Sequence, residues 1–154
     1  MDPKDYKDIV YKIIGAAMKV HGELGWGQLE PVYNEALHLE LLDRGVDSER
    51  ESALPCYYKH HQMEKTYRMD IVVGDVVVEL KSVRELVPAH RAQLFNHLRL
   101  TKKPIGLLIN FGQQSLQGER YAYIVETNEC FLIDKEMNLL YPEYADDEVE
   151  IIHE

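Results

Sequence analysis

Apolar residues recur at helical spacing near the start of the chain. Tyr6, Ile9, Val10, Ile13, Ile14 and Ala17 share one side of a 3.6-residue period, which predicts an amphipathic helix over about 5–20. Lys7, Lys12 and Lys19 fall on the other side and read as solvated surface. Gly22, Gly25 and Gly27 around Trp26 then predict a loop over 21–28, because glycine weakens a helix and permits tight turns. A second helix is expected over about 29–44, with Pro31 tolerated in its first turn and Gly45 ending it. Its buried stripe is Val32, Tyr33, Ala36, Leu37 and Leu41. Strand-like material follows over about 48–58, turns at Lys59-His60-His61 and returns over about 64–73. Neighbouring residues on a strand point oppositely and no further zinc ligands stand at suitable spacing, so His60 and His61 read as a solvated turn.

The Gly74-Asp75 break between apolar runs reads as a two-residue hairpin turn. Pairing Val73 with Val76 sets Val72 opposite Val77, Ile71 opposite Val78, and Asp70 opposite Glu79. Alternation then places Asp70, Val72, Val77, Glu79 and Lys81 on one face, and Met69, Ile71, Val73, Val76, Val78 and Leu80 on the other. The second face is wholly apolar and is expected to be core. Directly opposed like charges repel, so the Asp70–Glu79 pair needs something to offset it. A hard divalent cation does so, and a lysine two residues on can orient a water or steady developing negative charge, which outlines metal-assisted hydrolysis. The competing reading is a cross-strand salt-bridge lattice on a solvated sheet face. Against it, Val72 and Val77 make that face partly apolar, and a charged trio at the end of a buried hairpin is costly without a function.

Pro88 opens a third expected helix to about 100, with Leu94, Phe95 and Leu98 apolar and His90, Gln93 and His97 forming a polar stripe. That stripe either faces the carboxylates or faces water. The near-continuous apolar run over 104–111 reads as a buried strand, parallel to a neighbour and reached through the helix. Segments near 121–126 and 130–133 suggest a further hairpin. Glu30 opens the second helix, where the helix dipole favours a carboxylate, and that alone accounts for it. Glu30 and Glu35 point in different directions, so only one of them reaches the metal face easily.

Length and charge narrow the options. The 154 residues suit one domain with a real core, and no stretch is apolar enough to span a membrane. The start, Met1-Asp2-Pro3-Lys4-Asp5, lacks the pattern of a secretory signal, and two cysteines are too few for a disulfide framework; both point to a reducing cytoplasm. A net charge of −10 argues at first against nucleic acid, whose phosphates require Lys and Arg. The acid is concentrated at one end, however. Residues 126–154 hold ten acidic residues against one basic, Lys135, whereas 1–125 hold 17 acidic against 16 basic. An acidic extension is therefore expected from about 134, including Glu143, Asp146, Asp147, Glu148 and Glu150. Arg84, Arg91, Arg99, Lys102 and Lys103 cluster around the third helix, either as a phosphate-facing surface or as an ordinary solvated face.

The ordered motifs resemble the PD-(D/E)xK nuclease superfamily, and Gly27-Gln28-Leu29-Glu30-Pro31-Val32-Tyr33 resembles the Gly-x-x-Glu-x-x-Tyr signature of its GxxExxY branch. The similarity extends through Glu35-Ala36-Leu37, Tyr57-Tyr58-Lys59, Tyr67-Arg68-Met69-Asp70, Val78-Glu79-Leu80-Lys81, His90 with Gln93-Leu94, and Leu107-Leu108-Ile109-Asn110-Phe111-Gly112. It implies an α/β, restriction-endonuclease-like α-β-β-β-α-β core, a mixed sheet flanked by helices, with an added N-terminal helix. It also implies Asp70 and Glu79 as metal ligands, Lys81 as the catalytic lysine, Glu30 as a helix-borne acid near the metal, and Gln93 as the helical glutamine of RecB-type nucleases. Nucleic-acid contacts fall on His90, Arg91, His97, Arg99 and Tyr33. Two positions depart from the family. His97 stands where RecB-type enzymes tend to carry tyrosine, which puts the contact there in question, and Val87 replaces a hydroxyl residue that would cap the third helix. The implied activity is Mg²⁺-dependent cleavage of DNA, with Mn²⁺ able to substitute and RNA the other candidate substrate. The rival is a nuclease-like fold that binds nucleic acid or protein with little turnover; a third reading leaves the trio to stabilise the hairpin alone. A homodimer or a partner protein is compatible with either of the first two.

Overall fold

The computed structural model describes residues 2–140 and, as backbone, 150–152. A short 3-10 turn, Pro3–Tyr6, is capped by the Asp2 carboxylate, which accepts the Lys4 N–H at 3.0 Å. It leads into helix α1, Lys7–Leu24, which buries Val10, Ile13, Ile14, Ala17 and Val20. The helix runs a turn into the expected glycine loop. His21 is buried and its Nε2 lies 2.9 Å from the Gln113 carbonyl, a tertiary contact that outweighs the helix cost of Gly22, about 1 kcal/mol. The chain stops being helical at Gly25, whose φ of 71° glycine adopts without steric cost.

Helix α2, Glu30–Asp43, carries Pro31 in its first turn and buries Tyr33, Leu37 and Leu41 completely, while Val32 stays exposed. Its end is closed by the Gly45 N–H on the Leu42 carbonyl and the Val46 N–H on the Leu41 carbonyl, the paired bonds of a Schellman cap. Strands β1, Glu49–Tyr58, and β2, His61–Val73, form a long antiparallel hairpin turning at Lys59 and His60. Strand β3, Val76–Lys81, pairs with β2 in the expected register: Val73 with Val76, Val72 with Val77, Ile71 with Val78.

Helix α3, Pro88–Thr101, then crosses to strand β4, Ile105–Asn110, which runs parallel to β3 from Val76–Ile105 to Lys81–Asn110. Strands β5, Leu116–Ile124, and β6, Glu129–Ile133, form the last hairpin. Strand β7, Glu150–Ile152, pairs with the first part of β5. The sheet order is β1-β2-β3-β4-β5-β6, mixed in direction and covered by helices, as expected of a restriction-endonuclease-like core with an N-terminal helix. The acidic residues Glu143, Asp146, Asp147 and Glu148 lie outside the described residues.

Two apolar clusters sandwich the sheet. One joins α1 and α2 to Ile71, Val73, Val76, Val78, Leu80, Ile105, Leu107 and Ile109. The other packs Leu94 and Leu98 of α3 onto Val72, Val77, Leu108, Tyr121 and Tyr123. Both faces of the β2–β3 hairpin are therefore core, and the carboxylate face is not a solvated one. Met69 also joins the α3-side cluster, not the Ile71 side: the β2–β3 ladder ends at Ile71–Val78, so β2 is free to twist away from strict alternation beyond it. Helix α3 sits so close to β4 that a Cβ at Gly106 would come within 2.8 Å of a Leu98 methyl. Among the described residues no helix is long and apolar enough to cross a membrane.

Candidate functional site

The end of the β2–β3 ladder creates the site. Asp70 leaves the pairing pattern one residue beyond Ile71, and its Oδ2 accepts the Leu80 N–H at 2.8 Å. This turns the Asp70 carboxylate towards Glu79, near enough for the charge of one to act on the other. Glu79 is fully buried, being carried by the central strand β3 under α3. Burial, then the Glu79 charge, push the Asp70 carboxyl up to about 7 against the opposing pull of the Leu80 N–H and Lys81. Burial likewise raises Glu79 to about 7, with Asp70 and Lys81 opposing the shift and Glu30 and Glu51 adding to it. Two carboxyls with ordinary values near 4 thus share a space that resists holding both charges.

Lys81, the last residue of β3, is held from the opposite layer: its Nζ donates to Gln93 Oε1 of α3 at 2.9 Å. Glu30 begins α2 on the other side of the sheet, and burial followed by the Asp70 charge raises its carboxyl, while Lys81 lowers it. Its position at a helix start and its place beside the carboxylate pair are both real. Glu51 of β1, which the sequence did not single out, joins this group; it has a φ of 51° and accepts from Asn34 Nδ2 at 3.2 Å. The buried Asn34 also donates to the Asp70 carbonyl at 3.3 Å and accepts from Arg50 at 2.9 Å. It braces β2 from α2 at the point where Asp70 departs.

His97 lies behind the pair. It is fully buried, and its Nδ1 sits 2.5 Å from Glu79 Oε1, whereas Glu79 Oε2 and His97 Nε2 are enclosed without a hydrogen-bond partner. Burial pulls the imidazole below its usual value, which favours the neutral ring. His97 therefore has no accessible surface to offer a nucleic acid here, in contrast to the contact expected of it. Gln93, on the same side of α3, is exposed and His90 is half-buried, so the polar stripe divides between the site and the core. His90 also caps its own helix, because its Nδ1 accepts the Val87 N–H at 3.1 Å, the half of a capping box that does not depend on the residue at position 87 having a polar side chain.

Other expected nucleic-acid contacts are placed differently. Tyr33 is fully buried, stacked on Phe111 at 4.5 Å between ring centroids, and its hydroxyl donates to the Gly25 carbonyl at 2.6 Å and accepts the Gln28 N–H at 3.1 Å. It pins the loop that carries Trp26, which is 59% exposed. Ser82 secures the same loop, donating to the Gln28 carbonyl at 2.6 Å. Arg91 makes a two-pronged bond to the buried Glu119 at 2.8 Å for each contact, joined by the Tyr121 hydroxyl; Glu119 holds the guanidinium further up, and burial does the same for the tyrosine. Arg99 is exposed and bonds the Asn128 carbonyl. Lys103 reaches the Gly74 carbonyl at the turn where β3 begins, and Lys81 ends that strand, roughly 17–20 Å away at 3.3 Å per residue. Arg91 is therefore engaged by Glu119, and Lys103 stands at the far end of β3 from Lys81.

Asn110 was also missed. Its buried amide accepts the Val83 and Gly112 N–H groups at 3.0 Å and donates to the Val83 carbonyl at 2.9 Å, fixing the segment that follows Lys81. Its signal was a lone polar residue in an otherwise apolar strand.

The donor set fits a hard cation. Asp70 and Glu79 offer oxygen, both resist ionising side by side, and Glu79 Oε2 is buried with nothing to bond. Among the described residues no three His, Cys, Asp or Glu side chains converge into a ready cage. No curated protein and no solved structure matched the chain. A sequence model of the PD-(D/E)XK nuclease superfamily matches residues 7–121. The matched span runs from the start of α1 into β5 and includes Asp70, Glu79, Lys81 and Gln93, and the chain belongs to the PD-(D/E)XK nuclease superfamily.

Proposed function

We propose that this protein is a Mg²⁺-dependent nuclease of the GxxExxY, RecB-type branch, hydrolysing phosphodiester bonds in DNA, with Mn²⁺ able to substitute. The observation that carries this reading is the forced proximity of Asp70 and Glu79 beside a lysine held by Gln93. Asp70 and Glu79, with the Leu80 carbonyl, would hold the ion, and Glu30 would reach it directly or through water. When bound, Mg²⁺ supplies charge neutralisation at the phosphate and a more acidic water. Lys81 positions the attacking water and offsets negative charge on the pentavalent transition state, and Gln93 limits the rotamers from which it can do so. Asn110 and the Tyr33-pinned loop keep the surrounding backbone in place. The two free cysteines fit a cytoplasmic protein, a single nuclease domain with an acidic C-terminal extension.

The alternative is a nuclease-like fold that binds nucleic acid or protein with little turnover. Incubation with single- and double-stranded DNA and RNA, with Mg²⁺, Mn²⁺ or chelator, separates the two. Cleavage that requires metal supports the nuclease. Binding without cleavage of any of the four substrates in either metal supports the module.

A further inference from the structure

We infer that His97 is a positioning residue for Glu79, holding one carboxylate oxygen so that the other is presented to a cation. This rests on the reading of Glu79 as a metal ligand. The geometry is specific. His97 Nδ1 is 2.5 Å from Glu79 Oε1, both residues are fully buried, and Oε2 is enclosed with no partner. A carboxylate that ligates a cation has only lone pairs to offer, so the hydrogen in this contact belongs to the imidazole, and Nδ1 is the donor.

The two residues come from different layers. Glu79 rides on the central strand, and His97 comes down from α3 between Leu94 and Leu98, which pack onto the same sheet face. A glutamate side chain has three torsions to fix, and the rigid helix contact removes that freedom before any ion arrives. The division of the carboxylate follows: Oε1 is occupied by His97, leaving Oε2. The other face of the imidazole neighbourhood is Tyr67, whose ring lies 5.8 Å away and tilted, and the His97 carbonyl accepts the Thr101 hydroxyl at 2.7 Å, within the helix. No second polar partner competes with Glu79 for the ring among the described residues, since Nε2 has none. A histidine enclosed by apolar packing is costly unless paired, and the pairing found here is the one that orders a ligand.

Mn²⁺ binding to the intact chain, measured by calorimetry without nucleic acid, tests this. His97→Leu should raise the Kd by about 10–100-fold, the range seen when the group orienting a metal ligand is removed. His97→Asn places an amide nitrogen where Nδ1 stands and should restore affinity close to the parent's. His97→Gln places its amide where Nε2 stands and should not. A parent-like Kd in His97→Leu overturns the inference and leaves the metal reading intact. A parent that binds no Mn²⁺ removes the metal reading and this inference with it. Should His97→Leu fail to fold, judged by thermal melting in chelator, the Asn and Gln variants decide the matter, and equal affinities in those two overturn it.

Discussion

Replacing Asp70 by asparagine should stabilise the metal-free protein, by an amount that depends on pH. The Asp70 carboxyl is raised to about 7, from an unfolded value near 3.9, chiefly by burial and next by the Glu79 charge. A folded value above the unfolded one means that the group's stabilising contribution is complete below about pH 4. It is lost as pH rises through 7, after which the loss levels off. The ceiling on that loss is about 4 kcal/mol, at 1.36 kcal/mol per pH unit between the two values. Coupling reduces it, since a single retained proton relieves both carboxylates and Lys81 offsets part of the remaining charge, so about 2 kcal/mol is expected at pH 8.5. Asparagine keeps the Leu80 N–H bond through its amide oxygen and turns its NH₂ towards Glu79. For a chain of this length, that corresponds to a rise of roughly 4–8 °C in melting temperature. The assay is thermal unfolding of parent and Asp70→Asn in chelator at pH 5 and pH 8.5. The gain should grow between these pH values, because the parent loses stability over that window and the variant does not lose it through this group. An equal gain at both, or a lower melting temperature for the variant at pH 8.5, would refute the buried-pair argument.

Lys81→Ala should abolish metal-dependent cleavage while circular dichroism and melting temperature stay near the parent's, because Lys81 lies at the part-exposed end of β3; retained turnover would remove it from the catalytic set. Arg91→Leu leaves Glu119 buried with only Tyr121 for company, so urea unfolding should show a loss of about 3 kcal/mol at pH 7, and a loss within experimental error would show that the pair holds nothing together. Neutralising the acidic extension with Asp146→Asn, Asp147→Asn and Glu148→Gln should tighten DNA binding at low salt and less so at high salt, with the Debye length near 10 Å at 0.1 M, as read by fluorescence anisotropy. Substitution is preferable to truncation after Tyr141, because the backbone of β7 pairs with Leu116–Gly118 and its removal would expose the β5 edge.

Local chemistry made much of the fold legible. Gly74-Asp75 fixed the hairpin register, and that register brought Asp70 and Glu79 together even though their backbone pairing stops one step short. The helix cap at Gly45 and the parallel course of the 105–110 strand follow from patterns a few residues long. What the sequence concealed depends on contacts between distant segments. Helix α1 outruns its glycine signal because His21 meets Gln113, 92 residues on. His97 reads as a nucleic-acid contact on the polar stripe of α3 until Glu79, 18 residues before it, is seen beneath the helix. Arg91 looks free for phosphate until Glu119 arrives from β5. Burial of a charged side chain is set by what the facing layer offers it, and a period along one helix carries no record of that.

The loop between α1 and α2 has a spectroscopic consequence. Trp26 is the chain's single tryptophan, already largely in water in the folded protein, and the loop around it is tied down at Gly25 and Gln28 by Tyr33 and again at Gln28 by Ser82, next to Lys81. Its emission should therefore be red-shifted in the native state and change little when the chain denatures, making it a poor optical gauge of folding. The same placement makes it a sensitive one for occupancy: a base or any other quencher arriving near Lys81 should alter the signal from this one indole, in the unlabelled protein and on the timescale of a stopped-flow mixer.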